Sequence, residues 1–453
     1  MKKTLLALAL LSTMSAPAFA QSDHDRIATL EAQVRALQAE IQAMKGNTTA
    51  PMASAPATTG NSMEADIDAL AAAPEEASTS DVATSVAAPA GDNSSSGNAN
   101  AFNPAMSVIL NGSYSHHSLN PDGYVRSGFP LAGEAGPGAQ GLSLGESEVS
   151  LSSNIDDKFY GQLTMAVGSE DGEDHLGVEE AYIDTTALPN GFSLRLGRFF
   201  SNVGYLNSHH AHTDSFFDRP LPYQAFLGNQ YGDDGAQLRW VAPTTLFLEV
   251  GGEVFRGQHY PSGGAQQGGV GTRTLFAHIG GDAGANNEWL AGVSMLKTKS
   301  AGSEDGFAGD AKVYIADATW KWAPHGNFKD GGFTLRGEYI LDDRNGLWVD
   351  PEDAGNTLAW NGQRRGAYLE GVYRFNRTWD AGYRYDKLWG DAALPFGSAF
   401  DPSRGSVQLT WRNSEFSLFR LQLSRDTPNP ADNDNTITLQ YQTSFGAHGA
   451  HKF

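Results

Sequence analysis

Three histidines and one aspartate lie close together in a long stretch between two segments of alternating polarity. They are His209, His210, His212 and Asp214. Imidazole nitrogens and carboxylate oxygens are ligands that suit Zn²⁺, and in an extended chain His210 and His212 point to the same side. The spacing predicts transient zinc binding and no resident cofactor, because a high-affinity site needs fixed geometry and supporting hydrogen bonds, and the sequence shows neither. Solvated histidines without a ligand are the alternative.

Charged residues also recur between the apolar residues of many alternating segments, as in Leu194-Arg195-Leu196. So many charges would be costly in a dry core, so we expect them to face a water-filled lumen. The predicted lumen residues are Arg195, Arg239, Arg336, Arg374, Arg384, Arg412, Arg420, Glu146, Glu148, Glu180 and Asp184, with Glu338, Glu370 and Asp386 on the same faces and Asp214 and Asp218 on the long stretch.

These charges are unevenly distributed along the chain. Acids dominate the second to fourth alternating segments, and arginines dominate the twelfth to fifteenth. The pattern predicts a transverse field across a constriction, which would orient dipolar solutes. The alternative is that the charges neutralise one another across neighbouring strands. Inward acids and bases nearly balance, so the net ion selectivity does not follow from the sequence.

The elements that position these residues are short segments with a period of two, from residue 102 to 453. They number about sixteen, and long and short connections between them alternate. Outer-membrane β-barrels have even strand numbers, short periplasmic turns and longer external loops. We therefore predict an all-β fold, an antiparallel transmembrane β-barrel of about sixteen strands over 102–453, with both ends in the periplasm.

The long connection 201–234 follows the fifth predicted strand and contains the histidines. A connection of this length within a compact domain is normally functional or disordered. We expect it to fold into the lumen and form the constriction.

The N-terminal hundred residues have a different composition. A basic start, a short apolar run and Ala18-Phe19-Ala20 predict a signal peptide over 1–20. Apolar residues spaced by three and four then predict a coiled coil over 21–45, and a low-complexity linker over 46–101 follows. Both would lie in the periplasm, where the coiled coil could contact the cell wall. The net charge of −21 argues against a nucleic-acid partner.

Two resemblances follow from these features. A signal peptide, a short coiled coil, a linker and a barrel resemble the trimeric outer-membrane porins of the phosphate- and dicarboxylate-selective type, as does Leu194-Arg195-Leu196-Gly197-Arg198-Phe199. Four short stretches are similar in sequence to zinc-regulated outer-membrane receptors: Leu144–Glu148, Asp156–Gly161, His209–His212 and Phe226–Gly235. The resemblances imply a homotrimer in outer-membrane lipid of a Gram-negative cell and a link with zinc.

The sequence thus predicts a porin-like channel for passive diffusion of small hydrophilic solutes or metal ions. Two alternatives remain: a zinc receptor driven by the energy-coupling protein TonB, and a non-conducting tether between outer membrane and cell wall. The chain has no plug-sized domain ahead of the barrel, and the barrel is too short for 22 strands, which disfavours the receptor. An enzyme is not expected, because Ser208 and Ser215 beside the histidines are the only hint of a nucleophile.

Overall fold

The computed structural model describes residues 104–170, 173–264, 269–350, 353–390 and 400–446. The predicted signal peptide 1–20, coiled coil 21–45 and linker 46–101 lie outside the described residues, so these three assignments stay predictions. Within the described ranges, no helix is both long and apolar enough to cross a membrane.

The described chain forms one antiparallel sheet that closes on itself, because the first strand pairs with both the second and the last. The sheet has seventeen extended segments, but two of them pair one after the other with the first strand and are the two parts of a single interrupted strand. The barrel therefore has sixteen strands. The strands are β1 Ala105–His117, β2 Gly141–Leu144 with Ser147–Asn154, β3 Phe159–Glu170, β4 Glu173–Thr185, β5 Phe192–Phe200, β6 Gly232–Val241, β7 Phe247–Phe255, β8 Thr272–Asp282, β9 Asn287–Ser300, β10 Phe307–Trp322, β11 Gly332–Val349, β12 Thr357–Arg374, β13 Trp379–Trp389, β14 Ser403–Ser414, β15 Ser417–Thr427 and β16 Asp434–Gly446.

The predicted fold class is confirmed. Strand pairing joins each strand to the next in the sequence and β16 to β1, as in an up-and-down barrel. The longest strands are β10, β11 and β12, which run for 16, 18 and 18 residues.

The two ends of the barrel differ. One end, the turn rim, carries the short connections and the start of β1; the other, the loop rim, carries 118–140, 201–231 and 256–271. The connection 323–331 on the turn rim is longer than its neighbours because it contains two short 3-10 turns, Pro324–Gly326 and Phe328–Asp330.

The outer face of the barrel is apolar. The predicted outward residues Leu196, Leu238 and Leu409 are 51%, 53% and 42% exposed. On the turn rim, aromatic rings stack from strand to strand, with centroids 6.1 Å apart for Trp379–Trp411 and 5.7 Å apart for Trp411–Phe419. An apolar belt with aromatic residues at its edge is the surface that a lipid bilayer requires of a barrel.

Two irregularities interrupt the wall close to each other. β2 breaks at Gly145-Glu146 and resumes at Ser147, whose hydroxyl accepts a hydrogen bond from the N–H of Asn111. Between β3 and β4 the register shifts, so that Glu180 lies opposite Thr164 and Val178 opposite Met165. Glu179 is therefore an extra residue in β4, and β-bulges of this kind re-aim side chains.

The hydrophobic core lies inside the barrel. It joins side chains of the connection 201–231, such as Leu206, Tyr223 and Phe226, to inward-facing Ile315 and Ile340 of the wall. The interior loop therefore supplies the apolar packing that a β-sandwich would obtain from a second sheet.

Candidate functional site: the loop inside the barrel

The connection 201–231, here called the lumen loop, leaves the top of β5 and folds into the barrel, as the sequence predicts. Asn207 links the two ends of the loop. Its side-chain NH₂ donates to the carbonyls of Ser201 at 2.7 Å and Tyr231 at 2.8 Å, and its side-chain oxygen accepts from the Tyr231 N–H at 2.7 Å. The two ends of the loop are thereby held together where they join the wall.

The second half of the loop forms a short helix, α1, over Leu221–Leu227. Pro222 fits the first turn, because proline has no N–H to leave unpaired there, and Gly228 ends the helix with φ 60°. All seven helical residues are buried. A helix this short is not stable alone, so its packing inside the barrel must hold it.

Other loops cover α1 from the loop rim. Phe129 meets Phe226 edge to face, with ring centroids 5.9 Å apart, and Arg126 donates to Gln224 at 2.7 Å. Tyr260, from the connection 256–271, donates to the carbonyl of Ala225 at 2.9 Å. Contacts from two further loops therefore bury α1 on the side of the loop rim.

Glu338 of β11 anchors the middle of the loop. Its carboxylate accepts from the N–H groups of Tyr205 at 3.0 Å and Leu206 at 3.2 Å. The hydroxyls of Tyr223, at 2.9 Å, and Tyr368, at 2.7 Å, donate to it as well. A buried carboxylate with four donors is a strong attachment, because charge-assisted hydrogen bonds are stronger than neutral ones.

Aspartates of the loop face the arginine-rich wall. Asp218 accepts from Arg384 of β13 at 2.9 Å and pairs with Arg404 of β14 at 2.7 Å. Arg420 of β15 donates to the carbonyl of Asp214 at 2.8 Å. Burial alone would raise the pKa of Asp218, but Arg404 and Arg384 hold that pKa below its usual range.

Histidines of the loop face the acidic wall on the opposite side. His212 Nδ1 lies 2.6 Å from Glu148 Oε1, and His210 Nε2 lies 3.0 Å from Glu180 Oε2. His210 Nδ1 lies 3.2 Å from Glu148 Oε2 and 3.4 Å from Glu179 Oε2. Burial opposes a charge on His210, but these carboxylates raise its pKa well above the usual value.

The loop thus carries charge opposite to that of each wall it faces. The predicted division into an acidic and an arginine-rich wall is present, and the lumen loop compensates both sides. Neutralisation between neighbouring strands, the alternative that the sequence leaves open, occurs as well, for example between Asp184 and Arg195 and between Glu370 and Arg336.

The predicted metal-binding set is divided by the structure. His210 and His212 come together, with ring centroids 5.5 Å apart, and Glu148 joins them. His209 stacks on Tyr205 at 4.5 Å and its Nδ1 lies 2.7 Å from the carbonyl of Tyr205. Asp214 pairs with Arg219 at 3.1 Å. His209 and Asp214 therefore contribute to loop structure, away from the cluster.

The contacts of His209 also determine whether it could act as a general base for the hydroxyl of Ser208. Its hydroxyl lies 3.3 Å from His209 Nδ1, but that nitrogen is held at 2.7 Å by the Tyr205 carbonyl. This arrangement gives Ser208 no free base at Nδ1, which general-base activation would require.

The remaining predicted lumen residues all lie inside the barrel, and most of them have an ionic partner. Asp184 binds Arg195 at 2.8 Å, Glu370 binds Arg336 at 2.9 Å, and Glu249 lies 3.4 Å from Arg239. Asp386 binds both Arg384 and Arg404, and Asp380 pairs with Arg412. Arg374 stacks over the ring of Phe328 at 4.8 Å, and Glu146 adjoins Glu148 and Glu179.

Three residues of the site are absent from the sequence-based set. Arg404 continues the arginine wall, and its period-two position between Ser403 and Gly405 was a usable signal. Glu179 turns inward only because of the bulge in β4, which the alternation does not reveal. Arg219 binds the carbonyls of Leu206 and His209 within the loop, which no pattern indicates.

The fold and the loop together define a closed antiparallel barrel whose interior is crossed by the lumen loop. No family model matches the chain. It is 29% identical over 342 residues to a protein of Aquifex aeolicus (strain VF5) described as uncharacterized, over 69% of this chain and 70% of that protein.

Several solved structures are similar, each over 76% of this chain. The outer-membrane channel DcaP of Acinetobacter baumannii has 13% identity and a TM-score of 0.48, over 97% of that chain. A trimer form of OmpT, an outer-membrane protein of Vibrio cholerae, has 10% identity and a TM-score of 0.49, over 99% of its chain. An anion-selective porin from Comamonas acidovorans has 9% identity and a TM-score of 0.47, over 99% of its chain.

Proposed function

We propose that this protein is an outer-membrane channel for passive diffusion of small hydrophilic solutes or ions, and that the 201–234 connection is its constriction. The observation that carries the proposal is a closed barrel with an apolar outer belt and a charged interior that the lumen loop crosses. Such a barrel can span a bilayer because every strand has two hydrogen-bonded neighbours.

The charges argue for a water-filled path through part of the interior. Ion pairs buried without water are expensive, and paired charges beside water are far less so. Residues Pro220 to Gly228 are buried, whereas Ser208 and Thr213 remain exposed. Asp218 and His210 retain 25% and 21% of their side-chain exposure.

Solutes would therefore pass along the half of the loop from Ser208 to Asp218, opposite the packed helix. A solute there would meet histidines and carboxylates on one side and Asp218 with its two arginines on the other. Such an arrangement selects by size and by dipole orientation more than by net charge. The predicted link with zinc uptake rests on the resemblance, and we do not assign zinc as the solute.

Single-channel conductance in planar bilayers tests the proposal. The full-length protein should form discrete, non-energised conductance steps. Replacing the loop anchor, Glu338→Gln, should enlarge the steps or make them noisier, because four donors lose a charged acceptor. Glu415→Gln, in an exposed turn of the turn rim, is the matched control and should behave like the unchanged protein.

Absence of any conductance would favour the tether between outer membrane and cell wall. Solute uptake by vesicles that required an energy-coupling protein would favour the receptor. We also expect a homotrimer, and the mass of the detergent complex by light scattering would show it. That expectation stands separately from conductance, since a single barrel encloses a complete path.

A further inference from the structure

We propose that the lumen loop and the acidic wall together form a binding site for one divalent transition-metal cation of the Zn²⁺ type. The ligands are His210 and His212 from the loop and Glu148 from the wall, and Glu179 lies beside them with its Oε2 3.4 Å from His210 Nδ1. The inference concerns the bound ion alone and holds whether or not the barrel conducts.

The spacing of the polar atoms is that of ligands around an ion. Glu148, His210 and His212 each offer an atom, and these atoms all lie within 4.8 Å of one another. A tetrahedral ion with bonds of about 2.0–2.1 Å holds its ligands roughly 3.3 Å apart. His210 Nδ1 lies 3.2 Å from Glu148 Oε2 and 3.4 Å from Glu179 Oε2.

These two contacts are not hydrogen bonds. His210 Nδ1 and Glu179 Oε2 are both buried atoms without a hydrogen-bond partner. Meanwhile His210 Nε2 lies 3.0 Å from Glu180 Oε2. In neutral His210 with its proton on Nε2, donated to Glu180, the Nδ1 lone pair would face Glu148 Oε2 and Glu179 Oε2. Three acceptor atoms would then converge at a point where a cation could bind in place of a proton on Nδ1.

Glu180 plays the part of an orienting residue. Histidines that bind metals almost always donate their other ring N–H to a carboxylate or carbonyl, which fixes the tautomer and the ring plane. The contact of Glu180 with Nε2 has this arrangement. Glu180 belongs to β4, so its position does not depend on the loop.

The excess of carboxylates around the two imidazoles also favours binding of a cation. Glu146, Glu148, Glu179 and Glu180 converge on two imidazoles, and Glu146, Glu148 and Glu179 also bring their oxygens within 4.8 Å of one another. Arg195, on the neighbouring strand β5, is paired with Asp184. The two wall irregularities, at Gly145-Glu146 and at Glu179, bring these extra carboxylates to the same place.

The chemistry of the ligands narrows the class of metal. Two imidazoles favour Zn²⁺, Ni²⁺, Cu²⁺ or Fe²⁺ over Mg²⁺ and Ca²⁺, which prefer oxygen ligands alone. The alternative occupant is a proton on His210 Nδ1, which would make the imidazolium and leave no room for a metal. The two occupants give opposite results in a direct binding measurement.

Equilibrium dialysis of the folded, detergent-solubilised protein against Zn²⁺ tests the proposal. We expect one saturable Zn²⁺ per chain, and visible absorption typical of tetrahedral coordination when Co²⁺ replaces Zn²⁺. His210→Gln with His212→Gln should remove the saturable binding. Glu180→Gln should weaken it about ten- to a hundred-fold through its effect on His210.

His209→Gln is the matched control, because His209 belongs to the same loop but not to the cluster. It should bind Zn²⁺ like the unchanged protein. The proposal is overturned if the folded protein binds no Zn²⁺ saturably, or if His209→Gln weakens binding as much as the double variant. Far-ultraviolet circular dichroism identifies variants that have failed to fold. If the double variant has failed to fold, the weaker Zn²⁺ binding expected of Glu180→Gln tests the proposal instead.

Discussion

Asp218 is the residue at which the charge of the loop meets two wall arginines from different strands. Arg384 and Arg404 approach its two carboxylate oxygens, and the amide of Gln422 donates to it at 2.7 Å. Hydrogen bonds to charged groups contribute about 1.5–3 kcal/mol each. Asp218 therefore both fixes the loop and cancels positive charge beside the proposed path.

Asp218→Asn should shift the ion selectivity of the channel towards anions. The substitution keeps the shape of the side chain and leaves the charges of Arg384 and Arg404 only partly compensated by Asp386. The reversal potential in a potassium chloride gradient measures this shift. Asp122→Asn, in the exposed part of the connection 118–140, is the control and should leave the reversal potential unchanged; equal values for both variants would contradict the prediction.

The pH dependence of the loop follows from the same residue. The pKa of Asp218 is lower in the folded protein than the value of about 3.9 expected for an unfolded chain. Its stabilising contribution is therefore present above about pH 4 and is lost as the pH falls through the lower folded pKa. Arg384, Arg404 and Gln422 face the carboxylate, and Asp386 lies behind the two arginines.

We expect the conductance of the folded channel to change only well below about pH 4, as the pH falls through the lowered pKa of Asp218, and we expect Asp218→Asn to show this change already at neutral pH. Conductance of both proteins, measured from pH 7 down to the lowest pH at which the barrel stays folded, provides the test. A step of the same size in the variant would assign the acid transition to another group.

At the scale of elements, the strands were readily predicted, whereas the side-chain contacts inside the barrel were not. Alternation sets the face of each residue in a strand, so the number of strands and the inward position of Arg336 or Glu148 follow from it. The face of Glu179 does not follow, because the bulge adds one residue and breaks the alternation.

The lumen loop shows the same limit. Its inward course was predicted from its position after β5. His210 and His212 were expected to point the same way in an extended chain; they do come together, but the chain there is not extended, because Ala211–Thr213 form a 3-10 turn. The helix α1 has no detectable period in seven residues. The positions of His209 and Asp214 depend on Tyr205 and Arg219, contacts that form only when the loop is folded.

Gly228 joins α1 to the loop that covers it. Its φ of 60° favours glycine, and a Cβ there would lie 3.1 Å from Gly133 Cα and 3.2 Å from the Ala132 carbonyl oxygen. Gly228→Ala should cost about 1–2 kcal/mol in backbone strain and move the connection 118–140 away from the helix.

Trypsin cleavage after Arg126, which is buried against Gln224, reports this displacement. Cleavage should be faster in Gly228→Ala than in the unchanged protein. Gly136→Ala is the control, since a Cβ there meets nothing within 4 Å. Equal cleavage rates in both variants would show that the two loops tolerate the added methyl group.

At the scale of the whole molecule, the outer belt determines whether the barrel is a membrane protein. Leu409 is 42% exposed on β14, beside the exposed Leu421 of β15. Arginine on the lipid face near the middle of a bilayer costs about 2–4 kcal/mol. Leu409→Arg should therefore lower the free energy of unfolding from lipid vesicles by that amount.

Urea-induced unfolding in vesicles, followed by tryptophan fluorescence, measures the effect. Leu409→Ala should cost much less, because it removes apolar area without placing a charge in lipid. If Leu409→Arg and Leu409→Ala were equally stable, this face of β14 would not contact the bilayer.

The attachment points of the lumen loop also determine when it can fold. Its residues are made between β5 and β6, but its partners come much later in the chain: Glu338 lies 115 residues after Tyr223, and Arg384 lies 166 residues after Asp218. Contacts at such separations form late, because the intervening chain must first be ordered. Until β13 and β14 are in place, the loop has an acidic wall to bind but lacks Arg384 and Arg404. The C-terminal strands therefore have two roles, because they close the barrel and they complete the attachment that allows the loop to narrow it.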